Sequence, residues 1–149
     1  MPAALPDPVA DAAFYDGVPL RRLLAFLIDA ALIFGLAVIV IGVLTILTLG
    51  LALPLAGLLS LLIAFGYRWV TLAAHSATLG MAFLGIELRN RAGGRLTSGE
   101  AAVHTGLFLM LMASILGWIA TVLAILATER GQGIPDLLLG TVAINRPAE

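Results

Sequence analysis

The 149-residue chain contains no cysteine and no lysine. The first absence excludes a disulfide framework, a thiolate metal centre and a cysteine nucleophile. The second leaves eight arginines as the permanent cations, with a formal net charge of -1, so no basic surface exists on which a polynucleotide could lie. Phosphate loops are missing too. Neither GxxxxGK[ST] nor GxGxxG occurs, and Gly80, Gly85 and Gly93-Gly94 fit neither pattern. Ser60, Ser76, Ser98 and Ser114 lack the base-and-orienter pattern of a hydrolase. His75 and His104 lie far apart, and Glu100 with His104, one helical turn away, supplies too few ligands for a metal. No enzyme, cofactor or metal is expected.

Charge of either sign is scarce, at 11% of residues against roughly 25% in soluble domains, while 61% are hydrophobic. Three apolar stretches are each long enough to cross a bilayer of about 30 Å. An integral membrane protein follows. At this length it forms one small domain without a separate soluble enzyme module. The expected class is all-α, with about three transmembrane helices and a short surface β-hairpin between the second and third.

Residues 1–17 hold Pro2, Pro6, Pro8 and three aspartates, with no basic residue before Arg21. A secretory signal would begin basic and end in a cleavage site of small residues, so this segment reads as a short mobile tail before an uncleaved anchor. The membrane domain then occupies 18–146, with 147–149 as its end. A first helix from Pro19 or Leu20 to Leu47 exceeds the bilayer core and must tilt or protrude. Ile28, Gly35 and Gly42 repeat every seven residues, with Ala31 one turn before Gly35, a pattern that lets helices approach closely. Gly50 to Pro54 reads as a tight turn.

The second helix runs from Leu55 to Ala74 and ends in Tyr67-Arg68-Trp69. Aromatics beside an arginine mark a membrane–water boundary, so Arg68 reads first as an interface anchor and second as a buried partner for an acid. Phe83 to Leu88, the turn formers Asn90 to Gly94, and Arg95-Leu96-Thr97 suggest strand, turn and strand. Thr97-Ser98-Gly99-Glu100 then forms a capping box for a third helix. From Ala101 to Ala127 one long tilted span is the simplest reading, and Gly117-Trp118 permits a kink or a re-entrant hairpin. Pro135-Asp136 starts a short helix, and Thr141 to Asn145 reads as a final strand.

Arginines flank the first helix (Arg21, Arg22) and fill the middle segment (Arg89, Arg91, Arg95), whereas the first loop carries no charge. The positive-inside rule therefore places the N-terminus and the middle segment in the cytoplasm. Three plain spans would put Arg130 and Asp136 outside; a re-entrant third segment would return them.

Asp29 sits about two turns inside the apolar run Leu23 to Leu49. A carboxylate at the centre of a membrane helix costs on the order of 2.5–3.5 kcal/mol, so its presence asks for a reason. Arg22 lies seven residues earlier on the same face and could keep Asp29 ionised, against the upward pull of burial on its proton affinity. A carboxylate poised between those effects can exchange a proton or a cation. Alternatively, the arginine, the aspartates and the helix ends form a fixed polar staple.

Three segments stand together: R-L-L-A-F-L-I-D from Arg22 to Asp29, T-L-G-M-A-F-L-G-I-E-L from Thr78 to Leu88, and G-I-P-D-L-L-L-G-T-V from Gly133 to Val142. Together these resemble the RDD family of bacterial membrane proteins. The resemblance matches the family's arginine to Arg22 and its aspartates to Asp29 and Asp136. It implies a polar site of these three residues in a multi-pass inner-membrane protein; Arg68, from its place in the second helix, and His104, early in the third, are auxiliary candidates. Transport of a small solute or cation, with proton exchange proposed for some members, is the implied function; a non-transporting accessory or scaffold protein is the alternative. The family often has a basic residue at the position of Met81, an arginine at that of His104 and a histidine at that of Pro135. Expected partners are the lipid bilayer, an unknown small solute or cation and a second copy of the chain, since three helices hardly enclose a path alone.

Overall fold

The computed structural model describes residues 5–147. Residues 1–4 of the expected tail and 148–149 of the C-terminal end lie outside the described residues. The first long helix, α1, runs Val18–Leu47, with Pro19 in its first turn, where a missing N–H costs nothing. Val18, Ala25 and Asp29 are its buried residues on this half, and Arg22 falls between them at helical spacing, which makes one inward stripe. The rest faces outward. Phe34, Ile39, Ile46 and Leu47 are all strongly exposed, as lipid-facing residues are.

A turn and one 3-10 turn lead to α2, Ala56–His75. It ends at Ser76, which adopts a left-handed conformation and closes the helix through its own N–H on the Leu72 carbonyl. A five-residue helix, α3 (Leu79–Phe83), follows, with the Thr78 hydroxyl accepting from the Met81 N–H. The residue at Phe83 is therefore helical, and the strand β1 is confined to Ile86–Arg89.

The expected hairpin does not form. β1 pairs antiparallel with the last strand, β2 (Val142–Asn145), in the register Ile86 with Asn145 and Arg89 with Val142. The reason is local. Leu96 donates its N–H to the Ser76 hydroxyl at 2.8 Å, and Thr97 is already committed as a helix cap, so 95–97 has no free ladder to offer β1. Ile86, Glu87 and Leu88 are all buried, so β1 is covered on both faces. The buried Glu87 is met by Arg89 and, at 3.4 Å, by Arg146.

The third apolar stretch is not one span. α4 (Ser98–Met112) starts on the expected Thr97/Glu100 capping box and breaks at Ala113; α5 (Ile115–Ala127) leaves at 118° to it. Ser114 is extended, and its hydroxyl accepts from the Gly117 N–H at 3.0 Å to cap the new helix. At Gly117 a Cβ would overlap the Leu111 carbonyl, so glycine is what allows the two arms to fold this closely. Among the described residues, two helices are thus long and apolar enough to cross a membrane, and the bent pair is a third, broken element. Each arm, at about 20–22 Å of rise, falls short of a hydrocarbon core of about 30 Å.

The short helix α6 (Ile134–Leu139) and β2 close the chain. The dense core lies where the chain ends gather, with Val18, Ala25, Leu72, Ile86, Leu88, Leu96, Ala101 and Ala143 in one cluster. Residues 5–17 meet it from outside: Asn145 donates to the carbonyls of Ala13 and Asp16, and the Tyr15 hydroxyl donates to Pro6.

Candidate functional site

Arg22 and Asp29 share a stripe, yet they do not pair. Seven residues of helix place them about 10 Å apart along the axis, and side chains lean toward the helix N-terminus, so the guanidinium is carried away from Asp29. It meets Asp136 instead, at 2.6 Å from Nη2 to Oδ2, and donates from Nη1 to the Gly131 carbonyl at 3.0 Å. The fold-back of α5 makes this possible. It returns α6 to the end of the molecule from which α1 starts.

Asp136 has no solvent exposure, and both oxygens are saturated. Oδ1 accepts from His104 Nε2 and from the Thr141 hydroxyl, each at 2.9 Å; Oδ2 accepts from Arg22 and from the Gly133 N–H at 3.0 Å. Helix capping and ion pairing are therefore one arrangement here. Burial raises the proton affinity of this carboxyl, but the Arg22 charge and the His104 contact outweigh it and hold Asp136 well below the usual aspartate range. Because Nε2 faces a carboxylate, it is the protonated nitrogen, and His104 Nδ1 is left without a partner.

Asp29, 3% exposed, forms a separate knot. It accepts from the Tyr67 hydroxyl at 2.6 Å, the Thr78 hydroxyl at 2.5 Å and the Gly80 N–H at 2.9 Å. The glycine is forced: a Cβ at position 80 would strike the Ala25 carbonyl and stand 2.9 Å from Asp29 Oδ1. So the first and middle motifs meet at a contact that fastens α1, α2 and α3. Gly85, at φ +69°, then turns the chain from α3 into β1.

Arg68 departs from its expected place as an interface anchor. It is only 7% exposed, with its guanidinium carbon 3.7 Å from the centroid of the Phe108 ring. Successive helical residues are turned by about 100°, so Trp69 can stand at the surface while Arg68 points inward. No carboxylate oxygen among the described residues lies within 4.0 Å of it, and its Nε has no hydrogen-bond partner. It is no ion-pair partner of Asp29.

Two cavities flank this arginine. The larger, about 500 Å³, lies between the first turns of α1 and the arms α4 and α5, and takes in Arg22, His104, Trp118 and Thr121. The smaller, about 340 Å³, runs deeper along α1 past Asp29, Ala37 and Ser60. Both are bounded by Phe26, Arg68, Phe108 and Met112. These four side chains form the partition.

The sequence model of the RDD family matches residues 17–140. The chain belongs to the RDD family. The matched span holds Arg22, Asp29 and Asp136 together with every lining residue of both cavities. No curated protein and no solved structure matches the chain. Within this RDD protein the arginine and the second aspartate form an ion pair, the first aspartate anchors the middle motif, and His104 pairs with the second aspartate from early in α4. Thr78 and Thr141, which help complete the two carboxylate sites, carry no signal in the sequence beyond lying inside two of the motifs, and Tyr67 none beyond its place beside Arg68 and Trp69. Phe108 and Thr121 carry none.

Proposed function

We propose that this RDD protein is a multi-pass transporter of the bacterial cytoplasmic membrane, moving a small solute or cation past the partition between its two cavities. The N-terminus, the β1–β2 sheet and α6 lie on the cytoplasmic side, with the arginines around them, and the α4–α5 pair is re-entrant. One observation carries the reading: two spaces along α1 meet end to end at a buried, unpaired guanidinium and an aromatic ring. A packed polar staple needs no such space. The saturation of both aspartates favours a solute over a bare cation, since a cation would have to displace donors already bound to them. Gly35 and Gly42 face open space, which leaves room for a second copy against α1.

That same saturation favours the second reading, an accessory or scaffold protein with a structural polar cluster. The two separate in proteoliposomes loaded with a pH dye and challenged with sugars, amino acids, organic acids, Na⁺ and K⁺. Transport predicts flux of at least one class in the wild type and its loss in Phe26→Trp, which thickens the partition without touching a charge. A folded wild type that moves none of them, together with a silent Phe108→Ala variant with its partition thinned, supports the scaffold.

A further inference from the structure

The larger cavity is lined by a guanidinium that no carboxylate of the described residues touches. Arg22 is matched by Asp136, and Asp136 is shared with His104, so neither has a charge to give to Arg68. Asp29 is held by three neutral donors, Tyr67, Thr78 and Gly80, so its charge acts on Arg68 only through space, with no carboxylate oxygen within 4.0 Å of the guanidinium. Arg68 is therefore a buried guanidinium whose face meets an aromatic ring and whose Nε has no acceptor. An oxyanion within hydrogen-bond reach is the missing partner.

The rest of the cavity says what the anion is attached to. Leu20, Leu23, Trp118, Val122, Ile125 and Leu126 form an apolar wall, which a hydrated inorganic ion would leave in contact with water. Its volume of about 500 Å³ lies within the range of roughly 300–1,000 Å³ typical of small-molecule sites. In the same lining, His104 and Thr121 each carry a buried polar atom, Nδ1 and Oγ1, without a partner. With Nε2–H turned to Asp136, His104 Nδ1 can accept a hydrogen bond from an acid O–H.

We propose that this cavity binds a single-tailed anionic amphiphile, its carboxylate or phosphate-monoester head on Arg68 beside His104 and its hydrocarbon along α1 and α5. The assignment rests on reading the cavity as a solute site, and it names the class of solute. The Arg68 guanidinium offers two parallel N–H donors to the oxyanion, as carboxylate and phosphate prefer. The tail lies on the side of α5, where Trp118 and Leu126 are exposed toward lipid, so the amphiphile can enter sideways from the bilayer or from water past the first turns of α1.

The test is equilibrium binding to the full chain in nanodiscs, with empty nanodiscs subtracted. The probes are a fluorescent C18 polyene carboxylic acid and its methyl ester, with octyl phosphate and inorganic phosphate as competitors. The acid should bind saturably and at least tenfold more tightly than the ester; octyl phosphate should displace it, and inorganic phosphate should not. Arg68→Gln should weaken the acid tenfold or more and leave the ester unchanged, while Arg68→Lys should retain part of the affinity. Val122→Trp, which fills the space and keeps every charge, should abolish binding of both.

Native mass spectrometry separates the two sources of ligand. An anionic lipid retained by the wild type and lost from Arg68→Gln points to the bilayer; a bare wild type that still binds octyl phosphate points to a water-borne solute. Equal affinity for acid and ester, or an Arg68→Gln variant that binds the acid as tightly as the wild type, overturns the proposal. Binding of the acid without its movement across proteoliposomes would overturn transport alone, and flux of another solute without acid binding would overturn the amphiphile alone.

Discussion

Replacing Asp136 by asparagine changes one charge and almost no volume. The new amide can keep its oxygen toward Arg22 and Gly133 and turn its NH₂ toward His104 and Thr141, both of which can become acceptors. What is lost is the counter-ion of a guanidinium whose side chain is only 17% exposed. Breaking a buried pair by removing one partner costs about 3–5 kcal/mol, and the remaining exposure of Arg22 together with its bond to Gly131 places this case near about 3 kcal/mol. Asp136→Ala should cost more, about 5 kcal/mol, because the Gly133 N–H is also stranded.

Arg22→Gln should match the asparagine variant, and the double variant should cost about 2–3 kcal/mol less than the sum of the two. Unfolding in SDS mixed micelles, followed through Trp69 and Trp118, measures all of these. As a control, Arg22→Gln combined with Asp29→Asn should be additive within about 0.5 kcal/mol, because Asp29 has its own ligands. Additivity for Arg22 with Asp136, or coupling of about 2 kcal/mol for Arg22 with Asp29, would refute the pairing described here.

The acid limb of stability has a definite sign. Since the folded state holds Asp136 below its ordinary value of 3.8, the pair's contribution is complete above that value and is lost as pH falls beneath it. The difference in unfolding free energy between wild type and Asp136→Asn should therefore shrink on acidification from about pH 6 to about pH 3, and a constant or growing gap would contradict it. Gly80→Ala should destabilise by about 1–3 kcal/mol through overlap with the Ala25 carbonyl, read as a lower unfolding midpoint. Thr78→Val should cost about 1.5–3 kcal/mol, the range for a hydrogen bond to a charged group, whereas Thr71→Val, whose hydroxyl only returns to its own helix, should cost less than about 1 kcal/mol.

The ends of the long helices could be read to within about two residues because apolar runs, Pro19 and the Thr97/Glu100 box are local signals. Asp29 drew attention through its cost in an apolar helix, and Asp136 through the motif around it. Their ligands lay beyond such reasoning, since Thr78 and Thr141 look like ordinary turn residues until the chain closes on them. The β1–β2 pairing was hidden for the same reason: pairing depends on which edge is free, and Ser76 decides that from another element. Arg68 was misplaced because its aromatic neighbours point elsewhere. At Ala113–Ser114 the break was visible only as a permitted alternative near Gly117, for a lone serine in a lipid-soluble run does not by itself announce a new helix cap.

The antiparallel pairing of Ile86–Arg89 with Val142–Asn145 also sets a timetable for biogenesis. Roughly fifty residues separate the two strands, so at about 5–20 residues per second the ribosome delivers β2 some 3–10 seconds after β1. Throughout that interval β1 presents an unsatisfied edge, and Arg22 waits for an aspartate that has not yet been made. Insertion of the first two helices is thus complete well before the protein can lock, and a chain arrested before residue 136 would offer the cell's proteases both an open strand and a stray cation.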